Sequence, residues 1–182
     1  MPRCVGGRVA AFACRERSRY QAGVTTTPAA RSPRVSFTEM TELVLPQHSN
    51  VLGTAFGGSV LAWMDVCGAI SAQRHSGCVS VTASMDDVNF VSPIRVGDVV
   101  ILTGRVNAAF RTSVEVEVQV QVEDRASGHR RRCVEAFMTF VAVGADGKPC
   151  LQPPLALETA DDERYHREAS ERRRARLEKR TS

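Results

Sequence analysis

The chain has 182 residues, 43% of them hydrophobic and 24% charged, with a formal net charge of +4. That is one domain of ordinary size plus tails, with the composition of a soluble globular protein. Seven arginines against Glu16 give residues 1–37 a charge of +6, so the rest sums to −2. A folded part of that charge is not a nucleic-acid-binding core, and no apolar run approaches the roughly 18 residues that span a bilayer.

Residues 1–36 have no periodicity and carry Arg, Ser, Thr and Pro. They read as a disordered extension, as an Arg-rich, acid-poor mitochondrial targeting segment, or as translation from an unintended upstream start. Cytoplasmic localisation is the expectation, with the mitochondrial matrix the alternative if the segment is a transit peptide. Folding is expected from about Val35 to Leu155. A strand near Phe37–Val44 leads through a loop into an apolar helix from Gly57 to about His75.

Next, Val79, Val81, Ala83 and Met85 alternate with Ser80, Thr82, Ser84 and Asp86. This is the period of a half-buried strand whose apolar members face inward. A register shift is expected at Asp86–Asp87, where Val88 and Phe90 take over the apolar places. Pro93–Asp98 forms a turn and Val99–Asn107 a further strand. The valines at 114, 116, 118, 120 and 122 then alternate with Glu115, Glu117, Gln119, Gln121 and Glu123, giving one buried and one wet face. A hairpin over Asp124–His129 leads to a last strand, Arg130–Val143. The fold class is therefore α+β: one long apolar helix wrapped by a curved antiparallel sheet. Residues 158–182 carry eight basic and seven acidic side chains, a charged helical tail with Glu168 and Arg172 placed for an i,i+4 pair.

Six cysteines (4, 14, 67, 78, 133 and 150) form no CxxC pair and read as reduced packing thiols. The four histidines (48, 75, 129 and 166) lack metal-ligand spacing, and no metal is expected. Chemistry concentrates in the helix. Asp65 is the single charge between Val60 and Ile70, and a carboxylate in such surroundings is either tightly paired or functional. Gly58 lies seven residues before it, about two turns, so the helix N-terminus and the acid share a face. Free N–H groups there suit an electron-rich carbonyl oxygen; tight packing of the helix start against the sheet is the other use of Gly57 and Gly58. Asn50 sits in a loop, where an Asx-turn is the structural reading.

The ordered blocks Asn50-Val51-Leu52-Gly53, Phe56-Gly57-Gly58, Trp63–Ala69, Val81–Phe90 and Pro93–Val99 resemble the hotdog-fold acyl-CoA thioesterases. Within them, they resemble the branch of the brain-type acyl-CoA hydrolases and their bacterial short-chain counterparts. The resemblance covers residues 37–155. It implies a hotdog domain there, between the 1–36 extension and a 156–182 tail, and pairing into homodimers and a trimer of dimers. It also implies hydrolysis of acyl-CoA to acid and coenzyme A, with no cofactor. By the same resemblance Asp65 is the catalytic carboxylate, Asn50 completes the facing subunit's site, and the Gly57 and Gly58 amides polarise the thioester carbonyl. Thr82 and Ser84 border the site, Arg111, Thr112 and Ser113 meet coenzyme A, and Trp63, Met64 and Met85 line the acyl tunnel. Hotdog hydratases carry a His five residues after the Asp; here that position is Ile70. The remaining alternative is a non-catalytic acyl-CoA-binding sensor or scaffold.

Overall fold

The computed structural model describes residues 28–86 and 88–181; the targeting and disorder readings of the first 27 residues lie outside them. Among the described residues are six strands and two α-helices: β1 (Thr38–Leu43), α1 (Gly57–Ser76), β2 (Val79–Met85), β3 (Asn89–Phe90), β4 (Val99–Ala109), β5 (Ser113–Glu123), β6 (Arg130–Val143) and α2 (Ala160–Thr181). The strands form one antiparallel sheet in the order β1-β4-β5-β6-β2, with β3 also paired to β6.

The sheet wraps α1. Val60, Met64, Cys67, Gly68, Ser71, Ala72 and His75 form the buried stripe of the helix at spacings of three and four residues. They meet the inward-facing valines 114–122, together with Leu102, Val106, Met138 and Phe140. Contact is close enough to require glycine on both sides. A Cβ on Gly68 would sit 2.8 Å from the Phe140 ring, and one on Gly104 of β4 would run into Ser71 and Cys67 of the helix. Cys67 and Cys133 are buried packing thiols, as expected, and burial pushes Cys67 up to about 11.

Four expectations need correction. The folded part starts earlier than the extension ending at 36: Arg31 bridges Leu155, its guanidinium donates to the His75 carbonyl, and buried Ser36 accepts the Val106 N–H. In β2 the faces are reversed. Ser80 is buried and Thr82 faces α1, whereas Val79 and Val81 are 56% and 49% exposed. Among the described residues β2 is an edge strand paired with β6 alone, and its valines are left uncovered. The strand also slips twice. One register shift lies between Thr82 and Ser84; the other lies between Met85 and Asn89, four steps along this stretch against three from Met138 to Glu135 on β6. Asp87, in the expected shift, is itself outside the described residues.

The outer face of β5 is not simply wet, because α2 crosses it and leaves Glu115 fully buried. Finally, Glu168 pairs with Arg164 rather than with Arg172, which turns inward to Glu115 and stacks over Phe137 at 3.6 Å. α2 begins at a capping arrangement. Thr159 Oγ1 accepts the Asp162 N–H, and Asp162 accepts the Thr159 and Glu158 N–H groups. Its arginines dock it through charge and stacking, a contact with little hydrophobic periodicity to reveal it.

Candidate active site

Asp65 stands in the middle of α1, half-buried, on the side turned toward β2. Its Oδ1 accepts the Thr82 hydroxyl, while Oδ2 has no protein donor among the hydrogen bonds described. That hydroxyl donor fixes the orientation of the carboxylate. Of the residues read from sequence, these two are brought together directly.

The start of α1 is bare. Phe56 is the N-cap residue, no side chain caps the helix, and the first turn contains no acid. The Ser59 and Val60 N–H groups turn back to the Phe56 carbonyl at 2.9 and 3.3 Å. The positive end of the helix is therefore not neutralised locally. Gly58 has a packing reason as well as a chemical one: a Cβ there would lie 2.8 Å from the Phe56 ring. Beside this helix end lies an apolar cleft of about 330 Å³, lined by Thr54, Ala55, Val60, Phe90, Pro93 and Ile94 among others.

Asn50 folds its own loop. Its Oδ1 accepts the Leu52 N–H at 2.9 Å and the Thr54 N–H at 3.3 Å, and its Nδ2 donates to Thr54 Oγ1 at 2.9 Å. These bonds present the Asx-turn geometry, and they do not join Asn50 to Asp65 of the same chain. The loop tip is fully open, with Val51 and Leu52 102% and 82% exposed. His48 anchors the loop to α1 by an edge-on contact with Trp63, ring centroids 5.1 Å apart. Nothing in the sequence marks that contact.

Ser84 is half-buried beyond the bulge. Arg111 is exposed, its carbonyl accepting the Gln152 N–H, and the Thr112 carbonyl accepts the Ala142 N–H. Ser113 is buried, and its hydroxyl accepts from Arg173 of α2 at 3.3 Å. Met64 is buried in the core, with Trp63 and Met85 packed at its margin. No helix is long and apolar enough to cross a membrane among the described residues, and no three His, Cys, Asp or Glu side chains stand close enough to hold a metal ion there.

An ionic cluster that no sequence motif marks lies behind β2. Glu115 is held by Arg172 at 2.7 Å and by Arg176 at 3.2 Å, and Arg176 also pairs with Asp86 at the end of β2. Burial pushes the Glu115 carboxyl above its usual range, opposed by the two guanidinium groups. Charge alternation gave the arginines no direction, and Glu115 occupies an outward position in a regular alternating strand.

Residues 52–129 match the thioesterase superfamily model. An uncharacterised acyl-CoA thioester hydrolase of Bacillus subtilis is 37% identical over 146 residues, covering 80% of this chain and 85% of that protein. Among solved structures, an apo-hexameric acyl-CoA thioesterase superposes with a TM-score of 0.79 at 39% identity, covering 84% of this chain and 97% of that one. An acyl-CoA hydrolase from Staphylococcus aureus, solved with butyryl coenzyme A, coenzyme A and coenzyme A disulfide, gives 0.77 at 32% identity, covering 84% and 94%. The chain spans about a quarter of the length of the rat and mouse acetyl-coenzyme A thioesterases it also matches. By sequence and by fold, the chain belongs to the hotdog-fold acyl-CoA thioesterase family.

Proposed function

We propose that the protein hydrolyses acyl-CoA thioesters to a free carboxylic acid and coenzyme A. The observation that carries this reading is the Asp65 carboxylate, held by Thr82 through one oxygen, on the same helix face as an uncapped N-terminus. The Gly57 and Gly58 N–H groups receive the thioester oxygen as negative charge develops on it. Asp65 Oδ2 acts on the carbonyl carbon, as a general base through water or as the nucleophile itself. After a single turnover in isotopically labelled water, label in Asp65 identifies the nucleophilic route, in which water opens the mixed anhydride at the Asp65 carbonyl. The reading calls for no cofactor beyond the coenzyme A of the substrate.

Spacing supports the residue roles. Asparagine, aspartate and threonine variants of the Staphylococcus aureus hydrolase were made at positions separated by 15 and 17 residues, and Asn50, Asp65 and Thr82 are separated by the same intervals. Ser84, Arg111, Thr112 and Ser113 are the further proposed contacts to coenzyme A. Guanidinium and hydroxyl donors suit phosphate oxygens, although Ser113 would first have to part from Arg173.

The functional unit in this reading is a homodimer in which Asn50 serves the facing subunit's Asp65. Its support is the open β2 edge with exposed Val79 and Val81, and the bonds that keep Asn50 within its own loop. A trimer of such dimers is the assembly proposed, by likeness to the hexameric neighbour. Release of free coenzyme A from acyl-CoAs of increasing chain length, read with a thiol reagent, tests the reaction. No turnover on any of them by folded protein would contradict it.

A further inference from the structure

β2 carries Thr82, and within the single chain few contacts secure it. Among the described residues it lies at the sheet edge, pairs with β6 alone, slips register on one side of Thr82 and again between Met85 and Asn89. Edge strands with bulges depend on other contacts to fix where their side chains point. Within the single chain that contact comes from α2. Arg176 pairs with Asp86 at the end of β2, and its other terminal nitrogen lies 3.2 Å from Glu115 Oε2. Glu115 is itself fully buried in β5 and held at 2.7 Å by Arg172. Arg176 and Asp86 are each only 22% exposed, so the pair is shielded from water and from salt more than a surface pair. Asp86 lies four positions after Thr82. α2 also lies beyond residue 129, where the match to the family model ends.

We propose that Arg176 is a positioning residue for the Asp65–Thr82 pair. By tying Asp86 to the rigid centre of the sheet through Glu115, it fixes the stretch of β2 that presents the Thr82 hydroxyl to Asp65. The proposal rests on the thioesterase reading of that pair. A misplacement of about 1 Å in a reacting group can lower turnover by up to about a hundredfold, so a helix outside the site can set the rate.

The test is a double-variant cycle on the full chain with a short acyl-CoA, comparing wild type, Arg176→Gln, Thr82→Val and the double variant. Arg176→Gln is expected to lower kcat about tenfold while KM stays within about twofold. In the Thr82→Val background the same change should cost less than about twofold, because its route of action is already gone. Arg176→Lys, which keeps a cation within reach of Asp86, should recover part of the loss. An equal loss in both backgrounds, or no loss in wild type, overturns the proposal. Amide hydrogen exchange across residues 79–90 reads the same claim without turnover and is expected to accelerate about tenfold in Arg176→Gln. Unchanged exchange there overturns the proposal, whereas absence of wild-type turnover overturns the thioesterase reading instead.

Discussion

Thr82 gives its hydroxyl hydrogen to Asp65, joining an edge strand to the middle of the apolar helix that the sheet surrounds. One carboxylate oxygen is thereby occupied and oriented, and the other is left to act. Replacing Thr82 by Val keeps the shape and removes the donor. The expected result is a fall in kcat of about tenfold to a hundredfold with little change in melting temperature. Steady-state kinetics beside a thermal melt checks both halves of this statement.

The β2 edge gives a second prediction. Val81 is 49% exposed on the open side of that strand, and the proposed dimer covers it. Val81→Asp places a charge on an apolar edge, where burial is costly unless it is paired. Light scattering should then report a smaller species. Because Asn50 is proposed to act across the dimer, turnover per folded chain should fall with it. A variant that stays assembled and fully active would contradict the dimer.

Packing at the helix–sheet contact is tight enough to test by a single methyl group. Gly68→Ala puts a Cβ 2.8 Å from two atoms of the Phe140 ring and 3.4 Å from Val118, all in the core. Overpacking of this kind costs about 1–3 kcal/mol. In a domain of this size each kcal/mol lowers the melting temperature by roughly 2–4 °C.

The periodic elements were legible because their side chains obey one rule each. The valines of β5 and the apolar stripe of α1 show their faces directly, and Asp65 stood out as a charge among apolar neighbours. What escaped notice depends on partners far away in the chain. β2 alternates like any half-buried strand, yet its register against β6 turns Thr82 rather than the valines toward α1, and register is set by a partner far away in the chain. Glu115 reads as an outward, wet residue until α2 is placed over it. Arg172 and Arg176 sit in a run of interleaved charge whose local pattern favoured i,i+4 pairs. Asn50 was legible as both an Asx-turn and a site residue, and the single chain displays the turn.

His75 supplies a pH dependence of stability. It is fully buried at the end of α1, with Nε2 2.8 Å from the Pro153 carbonyl. Burial holds its pKa below the ordinary histidine value, the Pro153 hydrogen bond opposes this, and the Arg31 charge lowers it further. The unfolded chain therefore takes up the proton at higher pH than the folded one. The contribution of His75 is fully present above the unfolded value near about 6.5 and is lost as pH falls toward and through the folded value. Melts between about pH 7.5 and pH 5.5 should show stability falling on acidification, less steeply in His75→Gln.

The central claim is that the Asp65 carboxylate performs the hydrolysis, and coenzyme A release by wild type and Asp65→Asn tests it most directly. Both proteins are checked for folding by circular dichroism and assayed over acyl-CoAs from acetyl to palmitoyl. The account predicts turnover by wild type and a loss of at least about a thousandfold in the variant, as expected when the group that does the chemistry is removed. Turnover that survives intact in folded Asp65→Asn would contradict it.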